Sequence, residues 1–291
     1  MQHVEFFHKE HFEKNYHRTP PPAGLTHFID FFWETDFEQL WKKYPEGFSD
    51  ALFPNIGYTY LINLGTPFVM QLNDKSFDMK ADGFLPRHTS IECYHQPGNK
   101  IFGIKFRISP VLFEKKVNFA EYREYIFPLA YLIERSVIEK VKAAPGFAKR
   151  VEILSTHYQA IVDKYSGSLQ PVKIVREILD HCFRNNDFAT PVETFANRYN
   201  ISSRTLQRYF ETSTSISSKK ALQIMRIRKA VAHMASAPET FHFSMYGYYD
   251  HSHFYKHLKQ FVAKKTLLSM QPHLKLLSSI HKKAERGITS M

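Results

Sequence analysis

The sequence predicts an α+β protein. A small N-terminal β-barrel or sandwich, cupin-like and flanked by helices, precedes an all-α C-terminal domain with two helix-turn-helix motifs joined by a connector helix. Three observations predict it. Between 22 and 108, short runs rich in β-formers alternate with Gly, Pro and Asn turns, whereas beyond 111 apolar residues recur at helical spacing. Two later segments, 201–210 and 247–261, each read as a tight turn feeding an amphipathic helix. Charge also divides along the chain: residues 171–291 carry 19 Lys and Arg against 8 Asp and Glu, while residues 1–170 carry 20 of each. The whole net charge of +11 therefore sits in the second part, which suggests a polyanion partner for that part alone.

A chain of 291 residues can bury two cores, and 43% apolar with 15% aromatic content belongs to a folded protein. The division reads as a regulatory or dimerisation domain over 1–165 (β-rich 22–108, helical 111–165), a helical domain over 171–276 and a basic tail over 277–291. Cys93 and Cys182 are the only cysteines, too few for a disulfide framework and wrongly spaced for a zinc pair. The first residues lack a signal-peptide core, and the apolar run 126–133 is far below membrane-spanning length. The expectation is a soluble, cytoplasmic protein.

In chain order, residues 1–20 suggest a short helix ended by Pro20-Pro21-Pro22. His3, His8, His11 and His17 invite a metal reading, but only His8 and His11 have i,i+3 spacing and no carboxylate set completes a site; an exposed arm is expected instead. Strands are expected over 58–64, 68–72, 90–95 and 101–108, separated by Gly65-Thr66-Pro67, Asn73-Asp74-Lys75 and Pro97-Gly98-Asn99. Trp33, Trp41 and the phenylalanines read as core. Helical spacing follows at Tyr122, Ile126, Leu129 and Ile133, then at Val151, Leu154, Tyr158 and Ile161, and Tyr165-Ser166-Gly167-Ser168 reads as a linker.

The basic part opens with a helix over about 172–183, whose apolar face is Val172, Val175, Ile178, Leu179 and Cys182. Thr190-Pro191-Val192-Glu193 reads as N-cap, N1 proline and N3 glutamate of a capping box. Val192, Phe195, Ala196 and Tyr199 share a face, Asn200 closes the helix and Ser202 caps the next. There Leu206, Tyr209 and Phe210 turn inward. Ser203, Arg204, Gln207 and Arg208 remain for a partner, and Arg and Gln can make bidentate contacts to guanine and adenine. A connector over 218–235 carries Lys219, Lys220, Arg226, Arg228 and Lys229 around Leu222, Met225 and Ala232; its ~27 Å approaches the ~34 Å of one duplex turn. Asp250 then caps a second helix with Phe254, Leu258 and Phe261 inward and His251, Ser252, His253, Tyr255, Lys256 and Lys259 for bases and phosphates. His251 and His253 lie about 200° apart on a helix, so they cannot share a metal ion.

Residues 171 to about 272 resemble the C-terminal DNA-binding domain of the AraC/XylS family of transcriptional regulators. The resemblance runs through A-N-R-Y-N-I-S-S-R-T-L-Q-R-Y-F, R-I-R-K-A and G-Y-Y-D-H-S-H-F-Y-K. It implies a seven-helix domain with both recognition helices in successive major-groove segments of one DNA face, and control of transcription, more often activation. The stretch from P-P-P-A-G-L to G-I-K-F-R-I-S-P is similar to the family's sensor and dimerisation domains. Departures lie where the family has Gly then Ser-Pro after each recognition helix: here stand Ser215 with Ser217-Ser218, and Ala263 with Lys265-Thr266. Phe241-His242-Phe243-Ser244-Met245 replaces the usual Ile-Ala pair, so a short or shifted second scaffold helix is expected.

The reading is thus a double-stranded DNA-binding regulator, not an enzyme, without cofactor or metal. RNA polymerase, a small-molecule effector and a second copy of the chain are the further partners it allows. Two alternatives are carried: a metal-dependent cupin-type enzyme with an accessory DNA-binding domain, and a protein-interaction regulator with a degenerate second motif.

Overall fold

The strands obey the period-two rule, and the two faces they create build two cores. The structure, a computed structural model, describes residues 9–262. The chain begins with α1 (Lys9–Lys14), β1 (Tyr16–Thr19), β2 (Ile29–Asp36), α2 (Glu38–Lys43), β3 (Ser49–Leu52) and β4 (Tyr58–Asn63). Next come β5 (Phe68–Leu72), β6 (Lys75–Met79), β7 (Gly83–Pro86), β8 (Ile91–Tyr94), β9 (Lys100–Phe106) and α3 (Val111–Glu114). All strand pairs are antiparallel, in a six-stranded sheet that ends with β10 (Phe127–Pro128), ordered β1-β2-β9-β4-β7-β10, and a four-stranded sheet, β3-β8-β5-β6.

One core lies between the sheets, where Trp33, Leu61, Leu85 and Ile101 of the larger meet Phe68, Met70, Leu72, Ile91 and Cys93 of the smaller. Gly103 belongs to this face because the Trp33 indole occupies the space a Cβ would need. Among the described residues no ladder joins the two sheets. The two antiparallel sheets pack face to face, and among the described residues they do not close into a barrel.

The other face of the larger sheet carries Phe32, Tyr60, Phe84, Phe102, Ile104 and Phe106 into the second core. Helices α4 (Arg135–Ala143) and α5 (Phe147–Lys164) follow in the chain, and Tyr158 of α5 meets Phe106 edge-on with ring centres 5.4 Å apart. The helix expected across Tyr122–Ile133 is absent. Instead there are 3-10 turns at Phe119–Tyr122 and Leu129–Tyr131 on either side of β10. Pro128 explains this: it lacks an N–H and pushes Phe127 toward extended backbone. The expected exposed arm is also corrected where it is described, since β1 pairs with β2 and His11 is buried. Its ring bonds Thr35 Oγ1 at 2.9 Å and stacks on Phe37. His3 and His8 lie outside the described residues.

Helices α6 (Gln170–Asn185), α7 (Val192–Arg198), α8 (Ser203–Thr214), α9 (Ser218–Ser236) and α10 (His251–Leu258) form the remainder. Their apolar faces join the second core, which runs unbroken from Phe32 and Tyr60 to Ile178, Phe210 and Ile227. A charge clamp fastens α6 to the large sheet. Asp30 bonds Arg107 Nε at 2.8 Å and Arg176 at 2.9 Å, Arg176 bonds Asp180 at 2.9 Å, and Arg107 bonds Asp180. Burial alone would raise the Asp30 carboxyl; Arg107 and Arg176 overcome it and hold it below the usual range. Arg228 of α9, 2% exposed, donates to the carbonyls of Phe53 and Pro54 in the loop between β3 and β4.

Candidate nucleic-acid interface

The first turn-helix unit follows from its caps. Helix α7 begins one residue later than the sequence suggests, with Pro191 at the N-cap and no side-chain cap, so the Thr190 capping box does not form. Phe195 and Ala196 are buried, and Asn200 takes the left-handed conformation, φ 54°, that turns the chain. Ser202 Oγ accepts from Thr205 N at 3.1 Å and starts α8. Leu206 and Phe210 are buried and Tyr209 half-buried, which leaves Arg204 and Arg208 exposed.

Gln207 does not join them. Its Oε1 accepts from Ser218 N and Ser218 Oγ, at 3.3 and 2.9 Å, and its Nε2 donates to Glu211 at 2.6 Å. Both ends of the amide that would face an adenine are engaged, the oxygen fastening α8 to α9 and the nitrogen bonding within α8. Ser203 is half-buried. Helix α8 is closed by Ser215, whose φ of 64° is left-handed. The Ser215 hydroxyl lies 2.7 Å from the Tyr58 hydroxyl, which is also 2.8 Å from the Phe119 carbonyl.

Helix α9 spans 19 residues, ~28 Å, and matches the expected connector. Most of its cations are staples. Lys220 lies 4.0 Å over the Phe261 ring, and Lys229 donates to the Phe183 carbonyl at the end of α6. Arg228 is internal, as described above. Arg226 donates Nε to the Tyr246 carbonyl at 2.6 Å and a terminal nitrogen to the Gly247 carbonyl, while covering the Tyr248 ring at 3.8 Å. Lys219 alone of these five is exposed.

The second unit is built differently. Its scaffold is a single 3-10 turn, Phe243–Tyr246, capped by His242 and closed by Gly247 at φ 68°. Tyr248 is buried under Arg226, and its hydroxyl is 2.6 Å from His257 Nδ1. Asp250 Oδ1 accepts from His253 N at 2.7 Å and starts α10. Phe254, Leu258 and Phe261 are buried as the spacing requires, and so is His257, which sequence reading missed although it sits at i+3 from Phe254. Burial, with Arg226, His253 and Lys220 nearby, pushes its imidazole down to about 4. Ser252, His253, Lys256 and Lys259 are exposed; His251 and Tyr255 are half-buried, stacked on each other.

Between the sandwich side and α8–α9 lies a cleft of about 920 Å³, lined by His88, Phe119, Arg123, Glu211, Ser215 and Lys220 among others. His88 is 6% exposed, and burial, with Lys105 and Arg123 near, pushes its ring down to about 3. Both cysteines are buried, and burial pushes the Cys182 thiol up to about 12. Among the described residues no three His, Cys, Asp or Glu are placed to hold a metal ion, and no helix is long and apolar enough to cross a membrane.

No protein-family model and no curated protein matches the chain. Among solved structures it is similar to ToxT from Vibrio cholerae, with TM-score 0.41 and 10% identity over 88% of this chain and 99% of that one. ToxT with bound unsaturated fatty acid gives 0.40 and 10% over 74% and 87%. The AraC-like transcriptional activator CuxR gives 0.30 and 8% over 77% and 89%.

Proposed function

We propose that the chain is a sequence-specific DNA-binding transcription regulator of the AraC/XylS type, read out by α8 and α10 and governed by the sandwich. One observation carries this reading. Two side-chain-capped helices each bury one apolar face and present an exposed polar, cationic one, and a single rigid helix joins them. Arg204 and Arg208 are the base-reading cations of α8, with Gln207 holding that helix against α9. On α10, Ser252 and His253 reach base edges while Lys256 and Lys259 meet phosphates.

The N-terminal part regulates. The cleft seats a small-molecule effector, because its walls come from both halves of the chain and Arg123 and Lys220 line it together. An occupant there would bear on Ser215 and hence on the end of α8.

Selection of bound sequences from random DNA by the full chain tests the proposal. A defined motif should emerge, and Arg208→Ala should weaken binding by ~1–3 kcal/mol and relax one base pair. Recovery of unrelated sequences at every salt concentration would overturn it. A second reading, a regulator acting through protein partners, is favoured by the reduced scaffold of the second unit, a single 3-10 turn. Protection of one half-site, or none, in a footprint would select it.

A further inference from the structure

The segment Tyr248-Tyr249 sets two identical side chains in opposite environments. Tyr248 is 2% exposed, pinned by Arg226 and His257; Tyr249 is 93% exposed. The second is not at the tip of a loose loop. Its neighbour on one side is the buried Tyr248, and on the other is Asp250, locked as the cap of α10. Its own N–H faces His253 Nδ1 at 3.4 Å. The ring is therefore presented outward by a turn fixed at both ends.

Tyr249 stands just before α10, across the extended cap residue Asp250, and its N–H contact with His253 sets it beside the exposed His253 and Lys256 of that helix. The face proposed to meet DNA is thus flanked by a phenol at its leading end. Leaving a large ring in water forgoes the stabilisation that burial would give. Its chemistry is that of a flat apolar face, suited to the methyl group that marks thymine in the major groove.

We infer that Tyr249 is a specificity-determining residue of the second reader, its ring packing on a thymine methyl beside the bases read by α10. This rests on the proposed DNA-binding function and adds to it a contact absent from the ten residues assigned from sequence. A phenol aimed at a phosphate would act through its hydroxyl instead; the ring and hydroxyl roles separate in the test.

The test uses the full chain and its selected site. Each thymidine is replaced in turn by deoxyuridine, which removes only the methyl. The natural chain should lose about fourfold in affinity at one position under the α10 half, the loss expected for one methyl taken from an apolar contact. Tyr249→Phe should behave alike. Tyr249→Ala should bind the thymidine site about fourfold more weakly and show no further loss with deoxyuridine at that position. A side chain so exposed can be removed without disturbing the core, and a circular-dichroism melt should confirm it.

If Tyr249→Ala keeps the full deoxyuridine profile, the inference falls while the DNA-binding function stands. If Tyr249→Phe binds as weakly as Tyr249→Ala, the hydroxyl acts on the backbone and the specificity role falls. If the natural chain selects no sequence, both fall together.

Discussion

Ser215 sits where two energetic terms oppose each other, so its replacement by glycine should barely change stability. At φ 64° a side chain costs roughly 1–2 kcal/mol that glycine avoids, less roughly 0.5–1 kcal/mol for the extra freedom glycine has when unfolded. Against that relief stands the hydrogen bond to Tyr58, buried and 2.7 Å long, which contributes about 0.5–1.5 kcal/mol net. The terms nearly cancel, and Ser215→Gly should lie within about 1 kcal/mol of the natural chain. Ser215→Ala keeps the left-handed cost and loses the bond, so it should be less stable by about 1 kcal/mol. Urea denaturation of the three chains measures this. Repeating it in a Tyr58→Phe background isolates the pair, since the alanine penalty should shrink there. A penalty of equal size in both backgrounds, or a glycine variant destabilised by more than about 2 kcal/mol, would refute the reasoning.

Three further outcomes follow from the same geometry. Arg226→Met removes two carbonyl contacts from the 3-10 turn before α10, and should erase protection of the half-site under α10 while that under α8 persists; equal loss of both halves would sink the positioning role. Lys256→Gln should reduce the slope of log affinity against log salt by about 0.9, whereas Lys229→Gln, whose amine is tied to the Phe183 carbonyl, should leave it unchanged; the salt titrations would have to coincide to contradict this. Burial lifts the Asp50 carboxyl from 3.8 to about 7, so the folded chain binds more protons than the unfolded one across that window and stability falls as pH rises through it. Asp50→Asn should flatten the fall, read as Tm between pH 4.5 and 8, and an unaltered slope would exclude Asp50 as its source.

The signals legible in sequence were local ones. Strand runs at Tyr58 and Phe68, the serine cap before α8, the aspartate cap before α10 and the length of α9 all depend on neighbours within a few residues, and they lie where the spacing put them. Long-range partners were not legible. Nothing near Gln207 in sequence points to Ser218 as its partner, and the connector cations read as a polyanion footprint although four of the five pack against rings or carbonyls. His11 resembled a loose-arm residue because its hydrogen-bond partner, Thr35, lies 24 positions away. The helical spacing of Tyr122, Ile126, Leu129 and Ile133 misled for a local reason, since apolar period alone outweighed Pro128. For the partition of charge, composition located the surplus but could not distinguish a cation facing outward from one closing a helix end.

The grip of Arg228 on the Phe53 and Pro54 carbonyls falls near the midpoint of α9. It is one of several ties along that rod: Lys220 covers Phe261, Arg226 holds the Tyr246 and Gly247 carbonyls, and Lys229 holds that of Phe183. A displacement of the β3–β4 loop would therefore be felt at the mounts of α8 and α10 together, carrying the two as one piece rather than bending the span between them.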